Sequence, residues 1–104
     1  MAKLYKKYVN ETIDEKGRLK NITFNVPEDF NFGFDVVDEL ARKSPDKKAM
    51  VWLSRDKEEK VFTFGDISRY SNKTANYFYK NGIRKGDKVM LVLKRRYQFW
   101  FAII

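Results

Sequence analysis

The chain has 104 residues, 43% apolar and 16% aromatic, and its 22 Lys and Arg outnumber its 14 Asp and Glu for a net charge of +8. That length makes one small domain or a piece of a larger one, and the apolar content excludes a chain disordered throughout. With no Cys and no His, disulfides, thiolate metal sites, Cys nucleophiles and any Ser-His-Asp arrangement are excluded as well.

Residues 1–33 read as a lead-in segment. Lys3, Lys6 and Lys7 have no apolar h-region behind them, so no secretory signal is read there and a cytoplasmic setting is expected. Leu4, Tyr5, Tyr8 and Val9 recur at helical spacing and predict a short helix. Asp14 to Arg18 reads as a turn, and Ile22-Thr23-Phe24 as a short extended piece before Pro27. Phe30, Phe32 and Phe34 alternate around Asn31 and Gly33, the pattern of an extended segment laid over a core.

A helix is predicted from Asp35 to Lys43, its buried stripe formed by Val36, Val37, Leu40 and Ala41. Ser44-Pro45 stops it. Ala49 to Leu53 and Lys60 to Thr63 then form two strands joined by the polar turn Ser54 to Glu59. Thr63-Phe64-Gly65-Asp66 has the form of a capping box. The helix behind it carries Ile67, Tyr70, Thr74, Ala75 and Phe78 on one stripe, with Tyr77 beside them, and closes at Asn81-Gly82 with Ile83 packing back. Lys88 to Leu93 is the most apolar run in the chain and reads as a strand covered on both faces. A last helix starts near Arg96, with Tyr97, Trp100, Phe101 and Ile104 on one side and Phe99 and Ile103 extending the stripe. The fold class expected is therefore α/β: a β-hairpin plus a right-handed βαβ unit with flanking helices. The last helix reaches Ile104 without a stop signal, which reads as an incomplete N-terminal part of a larger domain.

The charge is local. Residues 80–104 hold seven basic residues (Lys80, Arg84, Lys85, Lys88, Lys94, Arg95 and Arg96) against Asp87 alone. Lys94 to Trp100 interleaves cations and aromatics, a pattern able to hold phosphates and stack bases, but its helical spacing reads better as a solvated helix start with buried rings. Among the carboxylates, Asp35, Asp38 and Glu39 read as helix N-terminal electrostatics, and Asp56, Glu58 and Glu59 as a solvated hairpin tip. Gly17, Gly33, Gly65, Gly82 and Gly86 fit neither phosphate-loop spacing. No catalytic, cofactor-binding or metal-binding residue is assigned in this chain.

Four segments in register nonetheless resemble the AMP-forming acyl-CoA synthetases, adenylate-forming enzymes close to the medium-chain and acetyl-type members. They are Phe30 to Asp38, Phe62 to Ile67, Ala75-Asn76-Tyr77-Phe78 and, the most specific, Gly82-Ile83-Arg84-Lys85-Gly86-Asp87-Lys88-Val89. Asp66 stands where the family usually has Glu, and Lys94-Arg95-Arg96 where it commonly has a Pro-containing turn. The resemblance implies that residues 34–104 are the N-terminal portion of an AMP-binding domain. The parent enzyme would join a carboxylic acid to ATP, release pyrophosphate, and pass the acyl group to coenzyme A with Mg²⁺ assisting. The family's working motifs lie downstream of the position equivalent to Ile104, so ATP, Mg²⁺ and coenzyme A belong to the parent, and the 104 residues are expected to be inactive scaffold. The expected partners are the remainder of the synthetase and, through the apolar region Lys88–Ile104, a second copy of the chain. No nucleic acid and no membrane span are expected, and a small basic nucleic-acid-binding or protein-interaction domain is the alternative.

Overall fold

The structure, a computed structural model, describes residues 3–104, which fall into two units, one ending at Asn31 and one running from Phe32 to Ile104. Residues 1 and 2 of the expected lead-in lie outside the described residues.

In the first unit a 3₁₀ turn, Leu4–Lys7, precedes strand β1 (Val9–Ile13), which pairs antiparallel with β2 (Leu19–Phe24). The expected helix thus shrinks to one turn, and Val9 opens a strand instead. The reason lies in the register, which sets Val9 opposite Phe24 and Ile13 opposite Leu19, so that a ladder and an apolar face form together. Ile22-Thr23-Phe24 is the end of this longer strand rather than an isolated piece. Tyr8 is buried, edge-on to Phe30 with centroids 4.9 Å apart, and its carbonyl accepts from the Asn25 N–H at 2.8 Å.

The second unit opens with a π-helical turn, Gly33–Asp38, that continues into α1 (Glu39–Lys43). Phe32 is already in the right-handed helical region, so the Phe30/Phe32/Phe34 alternation marks no extended segment. Helical winding buries Val37 in the core and leaves Phe32 and Phe34 exposed. Strands β3 (Lys48–Leu53) and β4 (Glu59–Thr63) form an antiparallel hairpin, as expected.

The two hairpins close by the same turn chemistry. In the first, the Gly17 N–H donates to the Asp14 carbonyl and the Asp14 N–H to the Arg18 carbonyl, each at 2.9 Å. In the second, the Lys57 N–H donates to the Ser54 carbonyl at 3.1 Å and the Ser54 N–H to the Glu58 carbonyl at 2.8 Å. The side chain at the turn's first position accepts from the backbone in both: Asp14 from the Arg18 N–H and Ser54 from the Glu58 N–H, at 2.9 Å each. These bonds, the Arg18 N–H foremost, hold the Asp14 carboxyl below its usual range. Both turns require a left-handed residue, supplied by Gly17 at φ +74° in one and by Lys57 at φ +63° in the other.

Helix α2 (Phe64–Lys80) follows β4 directly. The Asp66 N–H donates to Thr63 Oγ1 at 3.1 Å while the Thr63 N–H donates to the Asp66 carboxylate at 3.0 Å, which completes the capping box. At the other end, the Gly82 N–H reaches the Tyr79 carbonyl and the Ile83 N–H the Phe78 carbonyl, both at 3.1 Å, with Gly82 at φ +86°. This is the 5→2 and 6→1 pair of a Schellman close. Ile67 is buried and Tyr70, Thr74 and Phe78 half-buried, whereas Ala75 and Tyr77 lie exposed beside that line.

Two expectations fail beyond residue 87. Lys88 to Leu93 forms no strand, and the sheets among the described residues are the two antiparallel hairpins alone, so no βαβ unit is made. A strand exists through its ladder, and no described strand pairs with this run. The last helix, α3 (Gln98–Ile103), forms but turns a narrower face inward. Tyr97, Phe101 and Ile104, spaced i, i+4, i+7, pack on the core, while Trp100 and Ile103 face out.

Lys57 carries the strain of a left-handed side-chain residue, of order 1 kcal/mol. Lys57→Gly is expected to raise the denaturant midpoint of the second unit by the equivalent of about 0.5–1 kcal/mol; a lowered midpoint contradicts the left-handed assignment. Thr63→Ala is expected to cost about 0.5–2 kcal/mol through the lost cap. The hydrogen bond from the Thr63 N–H, foremost, lowers the Asp66 carboxyl below its ordinary value of 3.8. A lowered folded value means the contribution is fully present above the unfolded value and fades as pH falls through the folded one. Acid titration of Asp66→Asn should therefore show a shallower loss of stability below about pH 4 than the parent does.

Candidate functional site

The core of the second unit is a cluster of aromatic rings around Phe62 of β4. Its centroid lies 5.2 Å from Tyr97, 5.5 Å from Phe101 and 6.3 Å from Tyr70. Tyr70 of α2 stacks on Phe101 of α3 at 4.8 Å, and Trp52 of β3 meets Tyr97 edge-on at 5.2 Å. Edge-on and offset arrangements of this kind are the favourable ones for rings with negative faces and positive rims. The Trp52 indole N–H donates to the Arg95 carbonyl at 2.8 Å, fixing the chain just before α3.

Beside this cluster lies an open groove of about 530 Å³, lined by Lys60, Val61, Phe62, Tyr70, Tyr97 and Phe101 among others. Lys60 Nζ sits 5.1 Å from the Tyr97 ring centroid and 3.5 Å from the Glu58 carboxylate. The Tyr97 phenol foremost, then Glu58, holds the Lys60 ammonium above its ordinary range. One cation and two phenols on an apolar floor can pack a flat or apolar surface. They supply no acid–base pair and no activated nucleophile.

The residues singled out in the sequence are distributed as follows. Asp38 accepts from the Ser68 hydroxyl at 2.5 Å, tying the first helical segment to α2. Glu39 pairs with Lys43 at 2.8 Å and with Arg42. Asp38 thus serves a tertiary tie and Glu39 the local helix surface. The glycines at Gly82 and Gly86 follow the C-terminal end of α2, where carbonyls rather than amides face outward. At its N-terminal end the Asp66 carboxylate already occupies the place an anion would take, paired with Arg69 at 2.8 Å. No group of three or more Asp and Glu able to hold a metal ion occurs among the described residues. The basic run Lys94-Arg95-Arg96 is exposed, and of the aromatics interleaved with it Tyr97 packs on the core, Phe99 is half-buried and Trp100 is exposed. The groove itself was not legible in the sequence, because Lys60 and Tyr97 meet across separate elements.

Phe101→Ala is expected to remove about 3–5 kcal/mol, enough to unfold a unit with so small a core. Trp100→Lys, its exposed neighbour, should change stability by about 0.5 kcal/mol or less. Near-ultraviolet circular dichroism and denaturant midpoints check both, and equal effects from the two would contradict the inward face assigned to α3.

Comparison with known proteins identifies the family. The AMP-binding enzyme family matches residues 37–104. The human mitochondrial acyl-coenzyme A synthetase ACSM3 is 34% identical over 89 residues, covering 80% of this chain and 15% of that protein. The rat mitochondrial acyl-coenzyme A synthetase ACSM5 is 35% identical over 85 residues, covering 76% of this chain and 15% of that protein. A crotonobetaine/carnitine–CoA ligase of Salmonella arizonae is 41% identical over 69 residues, covering 64% of this chain and 13% of the ligase. The chain thus spans about 15% of the length of the curated relatives it matches. From Val37 through the aromatic core to Ile104, the chain belongs to the AMP-binding enzyme family, whose matched members are acyl-CoA synthetases and CoA ligases.

Proposed function

We propose that this chain serves as a structural segment of an AMP-forming acid–thiol ligase. The parent activates a carboxylic acid with ATP to an acyl-adenylate and pyrophosphate, then transfers the acyl group to the thiol of coenzyme A. One observation carries the reading: the family match at residues 37–104 covers nearly all of the second unit, Phe32–Ile104. The names of the relatives, acyl-coenzyme A synthetases and a CoA ligase, support that reading. The residues of this chain contribute the aromatic core, the capped helix α2 and the docked helix α3. They supply packing and position, while ATP, Mg²⁺ and coenzyme A are held by other parts of the enzyme.

Isothermal titration of the 104-residue chain with Mg-ATP is expected to give no heat of binding, and incubation with a fatty acid and labelled pyrophosphate no exchange into ATP. Micromolar affinity or measurable exchange would overturn the scaffold assignment.

A further inference from the structure

Asn81-Gly82, at the close of α2, is the chain's one Asn-Gly step. An Asn carboxamide is open to attack by the backbone nitrogen of the next residue. Glycine, with no side chain at Cα, hinders that attack least. Asn10, Asn21, Asn25, Asn31, Asn72 and Asn76 each precede a residue that carries a side chain. The fold holds the Asn81-Gly82 step in an unreactive geometry. Asn81 has φ −87° and ψ 12°, so the Gly82 nitrogen nearly eclipses the Asn81 nitrogen and is turned away from Cβ and the carboxamide. The Gly82 N–H donates to the Tyr79 carbonyl at 3.1 Å, and Asn81 Nδ2 donates to the Tyr77 carbonyl at 2.7 Å. Nucleophile and carboxamide are each tied to a different carbonyl of the last turn.

Arg84 clamps this close. Its guanidinium lies 3.8 Å from the Tyr79 ring centroid, and Nη1 donates to the Tyr79 carbonyl at 2.7 Å and to the Ile83 carbonyl at 2.9 Å. The Arg84 backbone is itself fixed by Asp87. Its N–H donates to the Asp87 carboxylate at 2.7 Å, and its carbonyl accepts from the Asp87 N–H at 3.0 Å. Every one of these bonds lies within residues 77–87, so the lock is local and depends on no element packed around it.

We propose that Asn81 is a deamidation site, kept shut by the Schellman close of α2 and the Arg84 clamp and opened when the end of the helix unwinds. Once open, Asn81 rotates about ψ and the Gly82 nitrogen attacks Asn81 Cγ. A bond forms between that nitrogen and Cγ, the Cγ–Nδ2 bond breaks, and the proton lost from the Gly82 nitrogen ends on the departing ammonia. The product is a five-membered succinimide. One water then opens either of the two ring C–N bonds, leaving aspartate or isoaspartate.

The product does not lock again. A carboxylate has no donor for the Tyr77 carbonyl, and it sets a negative charge at the helix end where carbonyl oxygens already face. Isoaspartate also adds a carbon to the main chain, which displaces the Gly82 N–H from the Tyr79 carbonyl. The reaction is therefore one-way, and it marks chains in which the end of α2 has opened.

The test follows loss of ammonia by peptide mapping and mass spectrometry in the 104-residue chain, held in buffer and in concentrated guanidinium chloride. In guanidinium, Asn81 is expected to convert ahead of every other Asn. In buffer its conversion should be slower by about tenfold or more, because only the locally opened fraction reacts. Arg84→Ala should speed conversion in buffer, speed hydrogen exchange at the Gly82 and Ile83 amides by a similar factor, and leave the rate in guanidinium unchanged. Arg84→Lys keeps the charge but gives up the planar fork, so its rate should fall between; it carries the same test if Arg84→Ala loses the near-ultraviolet signal of the core. Asn81→Asp, which reproduces one product, should lower the denaturant midpoint. Four results overturn the proposal: equal rates in buffer and guanidinium, another Asn converting ahead of Asn81 in guanidinium, no acceleration in a folded Arg84 variant, or an Asn81→Asp midpoint at or above that of the parent.

Discussion

The ring of Phe62 on β4 brings together α2 and α3, two helices that the chain separates by the run from Asn81 to Tyr97. It lies within 6.3 Å, centroid to centroid, of Tyr70 on α2 and of Tyr97 and Phe101 at α3. Each such pair adds about 0.5–1.5 kcal/mol beyond the area it buries. In a unit whose buried apolar cluster is Val37, Phe62, Ile67 and Phe101, that contribution bears directly on the docking of α3. A short helix such as Gln98–Ile103 has no stability of its own in water and exists because Phe101 reaches this cluster.

Once the cluster is in place, α2 acts as the rigid bar to which the other parts attach. Its start is fixed by the reciprocal Thr63–Asp66 bonds and its end by the Gly82 and Ile83 amides. Ser68 ties it to Asp38 of the π-helical turn, and Tyr70 to α3. The same capping chemistry closes its N-terminus to anions, because the partial positive charge there is matched by the chain's own carboxylate. Rigidity and the occupied anion position at this helix start thus have one cause.

Past Asp87 the balance changes. The chain is tethered at Arg84–Asp87 and at Trp52–Arg95, yet its most apolar run forms no sheet among the described residues. Met90 and Val92 are exposed there between the exposed cations Lys88 and Lys94. The aromatic groove beside Phe62, by contrast, is an opening onto the core.

The sequence by itself determined the local structure wherever a few neighbouring residues carry the physics. The capping box at Thr63 and Asp66, the Gly82 close with Ile83 behind it, the Ala49–Thr63 hairpin and the helix behind it could all be read from spacing, because each depends on contacts within about one or two turns of chain. The family resemblance was legible for the same reason, since its most specific piece, Gly82 to Val89, is a turn signature. The tertiary structure alone decided the rest. Val9 left a helical pattern for a strand because its partner, Phe24, lies across a hairpin. Trp100 faced outward because Phe101 claimed the ring cluster, and Lys60 met Tyr97 across separate elements. Lys88 to Leu93 reads as a strand in sequence and is none here, because local pattern sets which side chains can share a face, while a strand is made only by the backbone groups of another.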